Sequence, residues 1–104
     1  MKIQELNDQF RSTLTGGQIL FTPTVDNLPG DEHEALWNAI QSFDNFTTEN
    51  DPHGEHDFGA VEIQGEKYFW KIDYYDNQLM YHSPDPTNPD LTKRVLTVMH
   101  ASEY

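Results

Sequence analysis

The residues best suited to chemistry lie in one short stretch, Asn50-Asp51-Pro52-His53-Gly54-Glu55-His56-Asp57. Two imidazoles three positions apart, flanked by carboxylates, are ligand types that zinc, nickel or manganese accept. In such a site His53, His56 and Asp51 or Asp57 would hold the ion, leaving a position for a water nucleophile. The spacing is not H-E-x-x-H, and Pro52 and Gly54 disfavour the helix that motif needs. His53-Gly54-Glu55 repeats the H-x-E half of zinc deaminases, but a chain without cysteine has no P-C-x-x-C half. The plainer reading is a turn-forming loop. Asp51 and Asp57 then cap backbone donors, His53 and His56 dock the loop by hydrogen bonds, and its other acids stay outward.

Other catalytic sets are poorly supported. Ser12, Ser42, Ser83 and Ser102 lack a G-x-S-x-G context. Gly16-Gly17 is followed by no Lys-Ser/Thr pair of a phosphate loop. Asp85 and Asp90 read as turn and helix-start residues rather than a carboxylate dyad. The expectation is a protein that is not an enzyme and carries no cofactor.

Charge is the more informative signal. The chain has 18 acidic and 6 basic residues, a net charge of -12. Between Arg11 and Lys67 there is no basic residue, while Asp26, Asp31, Glu32, Glu34, Asp44, Glu49, Asp51, Glu55, Asp57, Glu62 and Glu66 all fall there. A solvated acidic face that merely aids solubility explains this in part. Unbalanced charge also destabilises the compact state by self-repulsion, which points to a use for it. Duplex DNA presents one charge per roughly 1.7 Å of axis, and proteins that bind it carry matching Lys/Arg grooves. A small rigid carboxylate-studded protein can occupy such a groove in place of DNA. The same charge argues against direct binding of nucleic acid.

These groups need elements to position them. Ile3, Leu6, Phe10 and Leu14 share one face of a first helix that Gly16-Gly17 ends. Ile19 to Thr22 read as a strand, and Val25 to Gly30 as a turn. A second helix spans roughly Asp31 to Phe43, with Asp31, Glu32 and Glu34 favoured in its first turns by the macrodipole. Its apolar face is Leu36, Trp37, Ile40 and Phe43. Asp44 to Asp57 is a long ordered loop. Phe58 to Gln64 and Lys67 to Tyr75 form a hairpin about Gly65-Glu66, with Tyr68, Trp70, Ile72 and Tyr74 on one face of the second strand. Asp76-Asn77 turns the chain into a third strand, Gln78 to His82. Asn88 and Pro89 then start a last helix, Asp90 to about Ser102, with Leu91, Val95, Val98 and Met99 inward. The expected fold is α+β: an antiparallel sheet of about four strands, a three-stranded meander plus one, packed by two to three helices.

At 104 residues the chain is a single domain, 1–104. Mean hydropathy is -0.76, low enough to raise disorder. Leu, Ile, Val and Phe nevertheless number 23, which supports a thin core. The N-terminal MKIQELNDQF has no apolar h-region, and no run approaches a membrane span. The expected setting is cytoplasmic, with no membrane partner. The strand Tyr68 to Asp76 is mostly core, yet one face would show aromatic rings of the kind that anchor interfaces. Stacking of RNA bases on that face needs more basic residues than Lys67 and Lys71.

With NDPHGEHDFG (Asn50 to Gly59), WKIDYYD (Trp70 to Asp76), SPDP (Ser83 to Pro86) and RVLTVM (Arg94 to Met99), the chain resembles a small bacterial domain family of unknown function. That family is met in proteobacterial chromosomes, plasmids and prophages. The resemblance runs from about Asp8 to Tyr104 and implies a bacterial protein with no known catalytic residue or cofactor. His100 stands where that pattern would have leucine. In size and charge alone the chain is also similar to phage and plasmid anti-defence proteins such as anti-CRISPRs.

Together these features point to a non-enzymatic inhibitor or interaction module. It would block a basic nucleic-acid-binding protein as a DNA mimic, in a host defence complex such as CRISPR-Cas. Asp31, Glu32, Glu34, Asp44, Glu49, Asp51 and Glu55 are the expected partner contacts. The alternative is a metal-dependent enzyme or metal-binding module built on His53, His56, Asp51 and Asp57.

Overall fold

A computed structural model describes all residues, 1–104. Helix α1 (Ile3–Thr13) ends when Leu14 takes a left-handed φ of 59° and its amide donates to Phe10 O at 2.7 Å, two residues before the glycines expected to stop it. Strand β1 (Gly17–Phe21), a one-turn helix α2 (Pro23–Asp26) and helix α3 (Gly30–Gln41) follow. Strands β2 (Phe58–Ile63), β3 (Glu66–Tyr75) and β4 (Lys93–His100) complete the sheet, in order β1-β4-β3-β2.

The fold is α+β with three helices, but the sheet is mixed, not purely antiparallel. β2, β3 and β4 form an antiparallel meander, whereas β1 pairs with β4 in parallel, Gly17 opposite Arg94 and Phe21 opposite Val98. Chain direction explains the parallel pair. From the end of β1 the chain returns across one face of the sheet through α3, so β2 leaves in the direction of β1. Two reversals then give β4 that same direction.

The meander's third strand is not Gln78 to His82. The Asp76 carboxylate accepts the amides of Gln78 (3.2 Å) and Met80 (3.0 Å), which rolls that segment into a compact loop with one bridge, Tyr75 to His82. Nor is there a last helix. Asn88 does cap, accepting the Asp90 amide at 2.9 Å, but only a 3₁₀ turn, Pro89–Leu91, results. Beyond it Val95, Thr97 and Val98 favour an extended backbone, and β4 lies at the sheet centre, apolar on both faces. The β2–β3 hairpin turns on Gln64 (φ 51°) and Gly65 (φ 80°), one residue before the expected Gly65-Glu66 pair, because Ile63 pairs with Glu66 and both turn residues are left-handed as a type I′ turn requires.

Alternation in β3 buries Tyr68, Trp70, Ile72 and Tyr74 toward the helices. They pack with Phe10, Val25, Leu36, Ile40, Leu96 and Val98 in one core. Gly59 lies against the Trp70 indole, where a Cβ would come within 2.5 Å of Nε1. No helix is long and apolar enough to cross a membrane.

Candidate functional site

The loop from Asp44 to Asp57 joins α3 to β2 and is held by its own side chains. Asn50 Oδ1 accepts the Thr47 amide at 2.8 Å, and its Nδ2 donates to Asn45 O at 2.8 Å. The Asp51 carboxylate, only 8% exposed, accepts the amides of Glu55 (3.1 Å) and His56 (3.2 Å). That geometry needs left-handed backbone at Gly54 (φ 65°) and at His56 (φ 57°), where a non-glycine residue is strained.

The strain is met by the contacts of the His56 ring. Its Nδ1 lies 2.9 Å from both carboxylate oxygens of Asp8 on α1, and its Nε2 lies 3.8 Å from Asp51 Oδ2. The ring stacks on Phe46 with centroids 3.9 Å apart. Asp8 also accepts Arg11 Nη2 at 2.9 Å. Arg11 is buried, donates from Nη1 to Ile40 O at 2.8 Å, and lies over the Trp70 ring at 5.1 Å. Arg11, Asp8, His56 and Asp51 thus tie α1, the end of α3 and the loop together.

A second polar chain runs beneath. Arg94 Nε donates to Asn7 Oδ1 at 2.8 Å. Asn7, fully buried, donates from Nδ2 to Tyr74 Oη (2.7 Å) and to Glu55 O (3.0 Å). The Tyr74 hydroxyl donates to Glu55 Oε2 at 3.3 Å. Burial pushes the Tyr74 phenol up and the Arg94 guanidinium down from their ordinary values. Asp57 is also raised, first by burial and then by the charge of Glu55.

This arrangement redistributes the expected site residues. His56 docks the loop as the sequence implies; His53 is exposed and makes no hydrogen bond. Asp57 is half-buried, as a docked residue should be: burial and then the nearby Glu55 charge raise its pKa, its own backbone amide works against that rise, and its carbonyl accepts the Ile72 amide at 2.8 Å. No three His, Asp or Glu side chains are grouped to hold a metal ion, so His53, His56, Asp51 and Asp57 do not converge as ligands. Of the expected partner contacts, Asp31, Glu34, Asp44 and Glu49 are exposed, and Glu32 is half-buried in the wall of a shallow cavity of about 400 Å³. None of these five has a cation within ion-pair distance. Asp51 is turned inward onto amides, and Glu55 is half-buried on Tyr74, so these two are structural where an exposed role was expected.

Sequence reasoning missed Asn7, Asp8, Arg11, Tyr74 and Arg94 as the frame of the loop. A signal existed: Ile3, Asn7, Arg11 and Leu14 follow one helical row, so two polar residues share an apolar stripe. A Ser102–His100–Glu66 relay also escaped notice, with Ser102 Oγ 2.8 Å from His100 Nδ1 and Glu66 Oε2 2.8 Å from Nε2. It is a cap. Nδ1 already accepts the Ser102 amide at 3.1 Å, which occupies the lone pair a general base needs. An exposed tip, Met80 (68%) and Tyr81 (70%), was hidden by the expected strand there.

Fold and site thus define a small α+β domain with one helical layer and an acidic loop pinned from inside. The chain belongs to the family described as "Protein of unknown function (DUF3768)", whose model matches residues 21–103. The matched span holds the loop, Tyr74 and Arg94, whereas Asn7, Asp8 and Arg11 precede it. Comparison with curated proteins and with solved structures finds no match.

Proposed function

We propose that this is a non-enzymatic interaction module whose acidic helical layer engages a basic, nucleic-acid-binding protein. It would act as a DNA mimic in the bacterial cytoplasm, against a defence complex of the CRISPR-Cas kind. One observation carries the reading. Arg11 and Arg94, two of the six basic residues, are buried, so only lysines offset the carboxylates at the surface. Exposed Asp31, Glu34, Asp44 and Glu49 have no cationic neighbour. On α3, Asp31 and Glu34 are neighbours about 5–6 Å apart, a charge density that a phosphate-binding groove can accept. Such contacts govern association rate and salt dependence more than residence time. The test is capture of partners from a bacterial lysate by wild type and by Asp31→Lys/Glu34→Lys/Glu49→Lys. Wild-type capture should fall steeply with salt and the triple variant should lose it; equal capture at low salt would overturn the reading.

A further inference from the structure

The sheet has a second face that none of the helices covers. Strand register places Gln18 and Leu20 of β1, Val95, Thr97 and Met99 of β4, Phe69, Lys71, Asp73 and Tyr75 of β3, and Phe58 and Ala60 of β2 on it. None of its apolar members belongs to the core under the helices; Val95 and Met99 at its centre are already buried within the monomer, so its open apolar surface comes from Leu20, Tyr104 and the half-buried Phe58, Phe69 and Tyr75. Leu20 is 52% exposed, and the Tyr104 ring meets Phe58 and Phe69 edge-on at 5.9 and 5.2 Å.

Charge singles this face out further. Three of the four lysines, Lys67, Lys71 and Lys93, stand on it. Glu62 is opposite Lys67 in register, and Asp73 lies 3.0 Å from Lys71. The face is therefore close to neutral in a molecule of net charge -12. We propose that it is the interface of a two-fold homodimer, sheet against sheet.

Two copies of so acidic a chain repel each other wherever carboxylates meet. The lysine-bearing face is where they approach with least repulsion and with apolar surface to bury. A two-fold axis sets each face against its own copy, so the Lys93 cations of one protomer meet a surface that carries Glu62 and Asp73. A nucleic-acid strand fits less well, because Lys67 and Lys71 are already balanced and little cation remains for phosphate. With strands about 4.8 Å apart and about 3.4 Å per residue, four strands over eight residues make a face of roughly 500 Å². Two such faces meet over a footprint of at most roughly 1,000 Å², the lower bound of a specific interface, so a weak dimer, sought in the micromolar range, is expected. The helical layers would point outward, leaving the acidic surfaces free.

Sedimentation equilibrium on the full chain tests this. Wild type should pass from monomer toward dimer between about 1 and 300 µM, as a micromolar constant requires. Leu20→Glu and Thr97→Glu should each weaken the dimer at least tenfold with the circular dichroism spectrum and melting temperature kept. Lys71→Glu, which adds like charge without removing apolar area, is the control against misfolding and should weaken it too. A protein that stays at 12.1 kDa throughout that range would overturn the proposal. So would a dimer that survives all three variants, or one broken by Asp31→Lys/Glu34→Lys. Binding of a fluorescein-labelled single-stranded RNA that Leu20→Glu abolishes would assign the face to nucleic acid instead.

Discussion

Replacing Asn7 by alanine should destabilise the protein more than its small volume implies. Its side chain has no solvent contact and joins α1 to β3, β4 and the loop through three hydrogen bonds of 2.7 to 3.0 Å. Tyr74 keeps a partner in Glu55 Oε2, and the Glu55 carbonyl lies in a half-buried residue that water can approach. The dominant loss is Arg94 Nε, a buried charged donor whose only partner is Asn7 Oδ1. An orphaned buried donor costs about 1–3 kcal/mol, more when charged, so the total should be roughly 3 kcal/mol. For a domain near this size that lowers the melting temperature by roughly 12–24 °C. Urea unfolding followed by circular dichroism measures it, with exposed Asn38→Ala as a control expected within about 0.5 kcal/mol. In an Arg94→Met background the cost of Asn7→Ala should shrink by more than about 1 kcal/mol, since the two residues share one bond. A loss below about 1 kcal/mol in the wild-type background would refute the assignment of Asn7 as the hub.

His56→Ala should cost about 1–2 kcal/mol by urea unfolding, from a lost charged hydrogen bond to Asp8 and lost stacking on Phe46. Amide exchange should quicken at Glu55 and at the substituted position, whose amides Asp51 holds, whereas His53→Ala should change neither quantity. Asp57 has its pKa raised in the fold, so the native state holds that proton more tightly than the unfolded chain. Its contribution is therefore fully present below the ordinary carboxylate value of 3.8 and is lost as pH rises through the raised value in the fold, and Asp57→Asn should be more stable than wild type at pH 7 but not at low pH, as urea melts across pH would register. Asp85 and Glu103 are lowered by the hydroxyls of Thr87 and Thr22, so their contributions run the other way and vanish as pH falls. Gly59→Ala should lower stability by about 1–3 kcal/mol, because its methyl would strike the Trp70 indole across the hairpin, and a shifted tryptophan emission maximum would report the displacement.

The two longer helices and the buried face of β3 were legible because one apolar stripe meets one polar surface in each. β4 was not. A central strand apolar on both faces does not alternate, and Leu91, Val95, Val98 and Met99 also fit a helical period. The Asn88-Pro89 cap added a true local signal, but it closes one turn only. Gln78 to His82 failed for a different reason: a single carboxylate, Asp76, captured the amides that a strand would have shared with a neighbour. For the site, the docking role of His56 was readable from residue type and flanking turns. Its partners Asp8 and Phe46 lie 48 and 10 positions away, a distance that no local pattern bridges. Buried Arg11 and Arg94 run against the rule that guanidinium groups stay at the surface, so composition counted them as surface charge.

Mimicry of DNA is tested most directly by competition. Partners captured from a bacterial lysate on immobilised wild-type protein are challenged with duplex DNA at fixed ionic strength, with an equal concentration of neutral polymer as control. Duplex DNA should displace the captured protein, and Asp31→Lys/Glu34→Lys/Glu49→Lys should never have held it. A partner that stays bound while it takes up DNA as well would contradict mimicry.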